Sequence, residues 1–185
     1  MEDRIAVSRL KQGDLTGLES LVSRYQVQAV HAAYLVVNDR ALAEDVAQTA
    51  FVKVAERIHQ FDEERPFAPW FFRIVMNDAL KLARRQSRSI SLDDQLDEST
   101  LQLAKWITDP GLQPEQLVEQ KEIRQIILKA IYILPPEQRT VIVMHYFLDM
   151  SEADMSANLA RQLSTIKWWL RGARKSLRNL MNTSK

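Results

Sequence analysis

Apolar positions recur three and four residues apart along most of the chain, and strict alternation is rare. That is the helical period. The spacing predicts a helix over 3–12 and a second over 15–36, with Asp14 as an N-cap between them. Leu15, Leu18, Leu21, Val22 and Tyr25 form the second helix's apolar side. Asn38-Asp39 ends it and caps a third helix over 40–59, where Leu42, Val46, Ala50, Val54 and Ile58 step by four. Within that helix, Glu44, Asp45 and Gln48 make a polar cluster; on its own it reads as a solvated face. The loop from Gln60 to Arg65 leads into a fourth helix over Phe67–Arg88, with Pro66 or Pro69 in its first turn, where a missing N–H costs nothing.

This fourth helix divides by face. Phe71, Phe72, Val75, Met76, Ala79, Leu82 and Ala83 share one side. Trp70, Arg73, Asn77, Lys81, Arg84 and Arg88 share the other, with Asp78 off that stripe and Ile74 near it as an apolar exception. A solvated face normally mixes both charge signs. A stripe of cations, an amide and a Trp suits a nucleic-acid strand, because cations neutralise phosphates and a Trp ring stacks on a base for about 1–3 kcal/mol. The competing reading makes Trp70 a core aromatic and the cations merely solvated.

After Arg88 the periodicity stops. The stretch SRSISLDDQLDEST is polar and acidic and reads as a linker. Leu101, Leu103, Trp106 and Ile107 form an apolar island beyond it, expected to dock on the chain's own domains or on a partner. Asp109-Pro110-Gly111 is a turn, and Pro114 starts a helix to about Ile133. Leu134-Pro135-Pro136-Glu137 stops that helix and restarts another, which carries Val141, Ile142, Met144, Phe147 and Leu148. A short helix over Ser151–Leu159, with Ser151 and Asp154 fitting a cap and its third-position acid, precedes a last helix over Leu163–Met181.

The pattern is therefore all-α, with two small helical domains, 1–88 and 113–185, joined by a flexible acidic linker over 89–112. The 185 residues suffice for this, and only 4 glycines and 6 prolines interrupt them. A net charge of +1 is uninformative, but its distribution is not. Six cations (Arg65, Arg73, Lys81, Arg84, Arg85, Arg88) stand against Asp78 in 65–90. Eight acids stand against two lysines in 91–122, and seven cations against no acid from Arg161 onward. Two basic blocks flank an acidic one.

The final helix pair has helix–turn–helix proportions. Ile166, Trp169, Leu170, Ala173, Leu177, Leu180 and Met181 form one side of the last helix. Lys167, Arg171, Arg174, Lys175 and Arg178 form the other, with Trp168 at its edge. A helix with one docked face and one electropositive face fits a duplex major groove.

The order of parts resembles the bacterial sigma-70 family of initiation factors, in the short two-domain form of the extracytoplasmic-function (ECF) group. Region 2 is similar to AEDVAQTAFVKVAERIHQF (Ala43–Phe61) followed by FAPWFFRIVMN (Phe67–Asn77). Region 4 is similar to LPPEQRTVIVMHYFLDMS (Leu134–Ser151) followed by LSTIKWWLRGARKSL (Leu163–Leu177). The resemblance implies a subunit that binds core RNA polymerase, recognises −35 and −10 promoter elements and assists strand opening. It assigns Glu44, Asp45 and Gln48 to the polymerase clamp helices, and Val141, Ile142 and Phe147 to holding the polymerase flap. It assigns the −10 element to the loop Phe61–Ala68 and the helix from Trp70 to Asn77; with the basic stripe that continues this face, the candidates there are Phe67, Trp70, Arg73, Asn77, Lys81, Arg84 and Arg88. For the −35 element they are Ser164, Thr165, Lys167, Trp168, Arg171, Arg174 and Lys175. Promoter DNA, core polymerase and an anti-sigma factor or other regulator are the partners it implies.

The chain departs from the family pattern at several points. Pro69 replaces a usual Thr before the Trp. Asp62, Glu63 and Glu64 stand in a loop that meets a phosphate strand, so they must point away or read an exocyclic amine. Ala160 stands in the helix–turn–helix turn where Gly is common; a left-handed residue there costs about 1 kcal/mol, so a different turn is expected. Trp168-Trp169 replaces a usual Ser-Arg pair, and Trp169 is expected to face inward.

Two other function classes remain to be weighed. A stand-alone helix–turn–helix regulator with an N-terminal dimerisation or ligand module would bind duplex without polymerase. An enzyme is poorly supported: His31, His59 and His145 lie in separate helices or helix ends, with no HExxH spacing and no Gly-rich phosphate loop. No cofactor or metal is expected, and the absence of Cys removes disulfides and thiolate ligands. The start MEDRIAVSRL has no signal pattern, and no apolar run approaches the ~20 residues that span a bilayer, so a cytoplasmic chain without membrane insertion is expected.

Overall fold

The computed structural model describes residues 2–89 and 126–183, with side chains for all of these except 88–89 and 181–183. Among the described residues every regular element is helical. The N-terminal half holds α1 (Glu2–Lys11), α2 (Thr16–Val37), α3 (Arg40–Arg57) and α4 (Phe67–Ser89), with a 3-10 turn at Ile58–Gln60. The C-terminal half holds α5 (126–133), α6 (Pro136–Ile142), a π turn (Val143–Phe147), α7 (Glu152–Leu159) and α8 (Leu163–Thr183). The expected linker, the Trp106 island and the start of the helix from Pro114 lie outside the described residues.

Local chemistry sets the boundaries. Gly13 takes φ +85° to turn the chain after α1, and Asp14 Oδ1 then accepts from the Thr16 N–H at 2.9 Å and the Thr16 hydroxyl at 2.7 Å. The cap position itself falls to Leu15, which offers no side-chain bond, so Asp14, the expected N-cap, stands one residue before it and still supplies an acceptor to the first turn. Gly17 is required for a different reason: a Cβ there would sit 2.2 Å from the Ala6 carbonyl oxygen, so only glycine lets α1 and α2 cross this closely. Asn38, at φ 56°, ends α2, and Asp39 Oδ1 caps α3 by accepting from the Leu42 N–H at 2.9 Å.

α2, α3 and α4 bury an aromatic core. Phe71 is fully buried and stacks on Phe51 at 4.7 Å between centroids; Phe67 and Tyr25 close the same cluster. Tyr25 donates its hydroxyl to Asp3 Oδ2 at 2.6 Å, and burial together with that carboxylate pushes the phenol's pKa up.

In the C-terminal half, Pro136 opens α6 and the π turn follows it, with the Leu148 N–H reaching back to the Val143 carbonyl at 3.1 Å. Ser151 and Asp154 form the reciprocal cap expected at α7. The turn after α7 does not differ as expected. Ala160 adopts the left-handed conformation, φ 50° and ψ 49°. The turn closes through Arg161 N–H to the Ser156 carbonyl at 3.1 Å and the Ser156 hydroxyl to the Arg161 carbonyl at 2.5 Å. Those bonds offset the steric cost of a Cβ at that position.

The two halves pack on each other. α6 and α7 lie against α4, and α6 and the π turn lie against α2. At this seam the Arg139 guanidinium donates to the Val36 carbonyl at 2.7 Å, the Tyr132 carbonyl at 2.9 Å and the Leu134 carbonyl at 3.1 Å. It also lies over the Tyr132 ring at 5.6 Å. Val36 belongs to the last turn of α2, where the helix dipole favours a cation. Burial lowers the Arg139 pKa from its ordinary value, and burial with Tyr34 nearby raises that of the Tyr132 phenol.

Candidate nucleic-acid interface

The amphipathic pattern of α4 sets its orientation. Phe71, Phe72, Val75, Met76, Ala79 and Ala83 are buried, and so is Leu80, while Leu82 is half-buried. The opposite stripe emerges as expected: Arg73, Asn77 and Lys81 are exposed, and Trp70 and Arg84 half-buried. The side chain of Arg88 lies outside the described residues. Trp70 packs on Phe61 at 4.9 Å and Phe67 at 5.8 Å, which leaves one part of its ring in the core and the rest on the surface. Phe67 itself is 3% exposed. The expectation that Phe67 meets DNA is therefore revised: its ring sits among Tyr25, Phe61 and Phe71 and supports Trp70 from beneath.

The acidic loop before α4 is internally compensated. Glu63 pairs with Lys11 at 2.9 Å, and Lys11 also donates to the Phe61 carbonyl at 2.9 Å. Asp62 pairs with Arg65 at 3.3 Å and accepts from the Glu64 N–H at 3.1 Å. Two of the three carboxylates are thereby paired with cations of the chain itself. A cavity of about 320 Å³ lies between this loop and α1, walled by Asp3, Glu63, Glu64 and Pro66.

α8 carries the second basic face. Ile166, Leu170 and Ala173 are buried, while Ser164, Lys167, Arg171, Arg174 and Lys175 are exposed and Thr165 is half-buried. Trp168 is 67% exposed, and Trp169 turns inward against the core. Lys167, Arg171, Arg174, Lys175 and Arg178 line one open groove with Glu152 of α7 at its rim, 3.9 Å from Lys167.

One residue of this surface escaped sequence reasoning. Tyr146 is 64% exposed in the π turn; its hydroxyl accepts from Arg174 Nε at 3.0 Å and its ring lies under the guanidinium at 5.7 Å. The π turn inserts an extra residue per turn, so a regular helical wheel misplaces Tyr146.

The polar cluster of α3 stands on the surface: Asp45 and Gln48 are exposed, and Glu44 is half-buried and paired with Arg40 at 2.8 Å. Thr49 and Val52, the latter 57% exposed, extend the same face. The apolar trio assigned to the polymerase flap is placed differently. Val141 and Ile142 are buried and Phe147 half-buried, packed into the core that joins the two halves. Val141 and Ile142 present no surface to a partner in this arrangement.

Among the described residues no group of His, Cys, Asp and Glu is arranged to hold a metal ion, and no helix is long and apolar enough to cross a membrane. His145 Nδ1 faces the Met150 carbonyl at 3.2 Å, His31 is buried and His59 exposed, so the three do not converge.

Two family models match in the order the chain presents its two basic faces. Residues 21–89 match sigma-70 region 2, and residues 124–177 match sigma-70 region 4. The ECF RNA polymerase sigma factor SigW of Bacillus subtilis is 28% identical over 173 residues, which is 93% of this chain and 92% of that protein. The ECF RNA polymerase sigma-E factor of Escherichia coli K12 is 26% identical over 185 residues, covering 97% and 94%. Among solved structures, CnrH in complex with the cytosolic domain of CnrY superposes with a TM-score of 0.70 at 23% identity, covering all of both chains. The sigma factor RpoE bound to the anti-sigma factor NepR from Bartonella quintana gives 0.66 at 18% identity, covering 90% and 98%. Matching models for both regions and relatives aligned almost end to end place this chain in the sigma-70 family, within its extracytoplasmic-function group.

Proposed function

We infer that this chain is the promoter-specificity subunit of an RNA polymerase. It forms no covalent bond itself; the polymerase makes the phosphodiester linkages, and this chain selects where they begin. The observation that carries the reading is the pair of electropositive faces, on α4 and α8, each on a helix whose opposite side is anchored in a core.

In this reading α8 lies in the duplex major groove of the −35 element. Ser164 and Thr165 stand at its N-terminal end, Lys167, Trp168 and Arg171 within reach of base edges or phosphates, and Arg174 and Lys175 on the backbone. The α4 stripe of Trp70, Arg73, Asn77, Lys81, Arg84 and Arg88 follows the opened strand of the −10 element. A base leaving the duplex loses its stacking neighbours, and Trp70, braced by Phe61 and Phe67, offers a replacement surface. Glu44, Asp45 and Gln48 dock on the polymerase clamp helices, with Val52 as an apolar centre to that face. Val141, Ile142 and Phe147 meet the flap once the C-terminal half has moved. The domains run 1–88 and 113–185, with 89–112 between them, and an anti-sigma protein or another regulator is the expected controlling partner. The alternative of a stand-alone duplex-binding regulator is not favoured, since relatives matched over 93% and 97% of the chain are sigma factors.

Run-off transcription with purified core RNA polymerase, with and without the chain, tests this on fragmented DNA from the source organism. Discrete chain-dependent transcripts are expected. Specific duplex binding without any new transcript overturns the assignment. Trp70→Ala should leave polymerase binding within about twofold and lower opening by the equivalent of one stacked base, about 1–3 kcal/mol, as followed by permanganate reactivity of unpaired thymines.

A further inference from the structure

The π turn sets one of its side chains against the basic face of α8. Tyr146 is exposed, while Val143 and Met144 in the same turn are buried. Its hydroxyl accepts from Arg174 Nε at 3.0 Å, and the guanidinium lies over its ring at 5.7 Å. His145 packs edge-on against that ring at 4.6 Å between centroids, and its own Nδ1 lies 3.2 Å from the Met150 carbonyl. The phenol is held in place before any ligand arrives, so little side-chain freedom is left to lose on binding. The donors that remain make the pair a site. A phenol that accepts from Nε still carries its own O–H, and no acceptor among the described residues meets that proton. Arg174 commits Nε to the phenol, which leaves the Nη end of its fork for a phosphate. Arg174 also lines the open groove it shares with Lys167 and Arg171. A cation from α8 and a neutral hydroxyl from the π turn therefore stand side by side on the second basic face.

We propose that Tyr146 and Arg174 together hold one backbone phosphate of the duplex, Arg174 through its Nη donors and Tyr146 through its hydroxyl. The inference rests on the reading of α8 as a duplex-bound helix, and it adds a contact from outside that helix. Such a contact carries no base information. It fixes the register and orientation in which α8 meets the groove. The π turn is what supplies it. The Leu148 N–H bonds to the Val143 carbonyl at 3.1 Å, the wider spacing of a π turn, and Tyr146 stands outward within that widened turn.

The full chain and a short, dye-labelled duplex of mixed sequence test this by fluorescence anisotropy over a series of salt concentrations. A neutral donor releases no counterion, whereas a guanidinium on a phosphate releases about one. Tyr146→Phe keeps the ring and loses only the hydroxyl. It should weaken binding about two- to tenfold, the loss of one hydrogen bond, with an unchanged thermal midpoint. The slope of log K against log salt should stay as in wild type. Arg174→Ala should make that slope shallower by about 0.9. Tyr146→Phe added to Arg174→Ala should change affinity by less than about twofold, because the two groups serve one phosphate and their effects do not add. A Tyr146→Phe chain with wild-type affinity overturns the proposal. A slope that falls with Tyr146→Phe as it does with Arg174→Ala also overturns it, since the hydroxyl would then only aim the guanidinium. Fully additive effects overturn it as well. Duplex binding needs no polymerase, so a failure of run-off transcription speaks against the initiation role and leaves this contact to be judged on the salt series. A wild-type chain that binds no duplex even at low salt overturns the reading of α8 and this contact with it.

Discussion

Lys53 Nζ and Asp78 Oδ2 meet at 2.6 Å across the α3–α4 seam. Asp78 is the one acid in α4, and this contact pairs its charge away from the basic stripe. Removing it should tip the local field further towards anions. Asp78→Asn is expected to cost less than about 1 kcal/mol of stability, since both side chains keep contact with water. It should also tighten binding of single-stranded DNA at low salt, with the gain vanishing at high salt. Chemical denaturation and binding titrations at two ionic strengths measure both.

The left-handed Ala160 is a stored cost in the helix–turn–helix. Ala160→Gly should raise stability of the C-terminal half by about 0.5–1 kcal/mol, because glycine carries no Cβ to strain at φ 50°. A thermal melt reads the change. An unchanged or lowered midpoint would show that the flexibility glycine adds to the unfolded chain outweighs the relief of strain.

At Gly17 the direction reverses. A Cβ would meet the Ala6 carbonyl oxygen at 2.2 Å and the Leu10 nitrogen at 2.8 Å, and both are backbone atoms that cannot swing aside. Gly17→Ala should push α1 away from α2 at a cost of about 1–3 kcal/mol, seen as a lower denaturation midpoint with α1 amides exchanging faster.

His31 gives the chain an acid-sensitive point. Burial lowers its pKa below the ordinary 6.5, so the folded chain holds it neutral while the unfolded chain protonates it. The unfolded state therefore binds more protons, and stability rises with pH through this region. The contribution is present above about 6.5 and is lost as pH falls from there towards the folded-state value. Denaturation midpoints across that window should slope upward with pH, and His31→Gln should flatten the slope.

Much of the fold was legible because each helix announces itself by period and cap. Asp39, Ser151 and Pro136 mark starts that the structure keeps, and Asp14 misses its cap by one residue. The two basic faces were legible for the same reason: a wheel separates Arg73, Asn77 and Lys81 from Phe72, Val75 and Met76 without knowledge of any neighbour. What was not legible depends on contacts between distant parts. Phe67 looks like a surface aromatic beside Trp70 until Tyr25 and Phe61 close over it. Val141 and Ile142 look available until the core of the folded chain closes over them. Glu137 accepts from Arg84 at 2.8 Å but is 53 residues from it, and no local pattern connects the two. Tyr146 was hidden by a change of helical pitch, and Ala160 by side-chain bonds that make an unfavourable conformation tolerable.

The π turn also bears on transferring residues by analogy. Its wider pitch shifts the register from Val143 to Phe147, so a side chain copied there from a regular helix lands on a neighbouring face and not on its own.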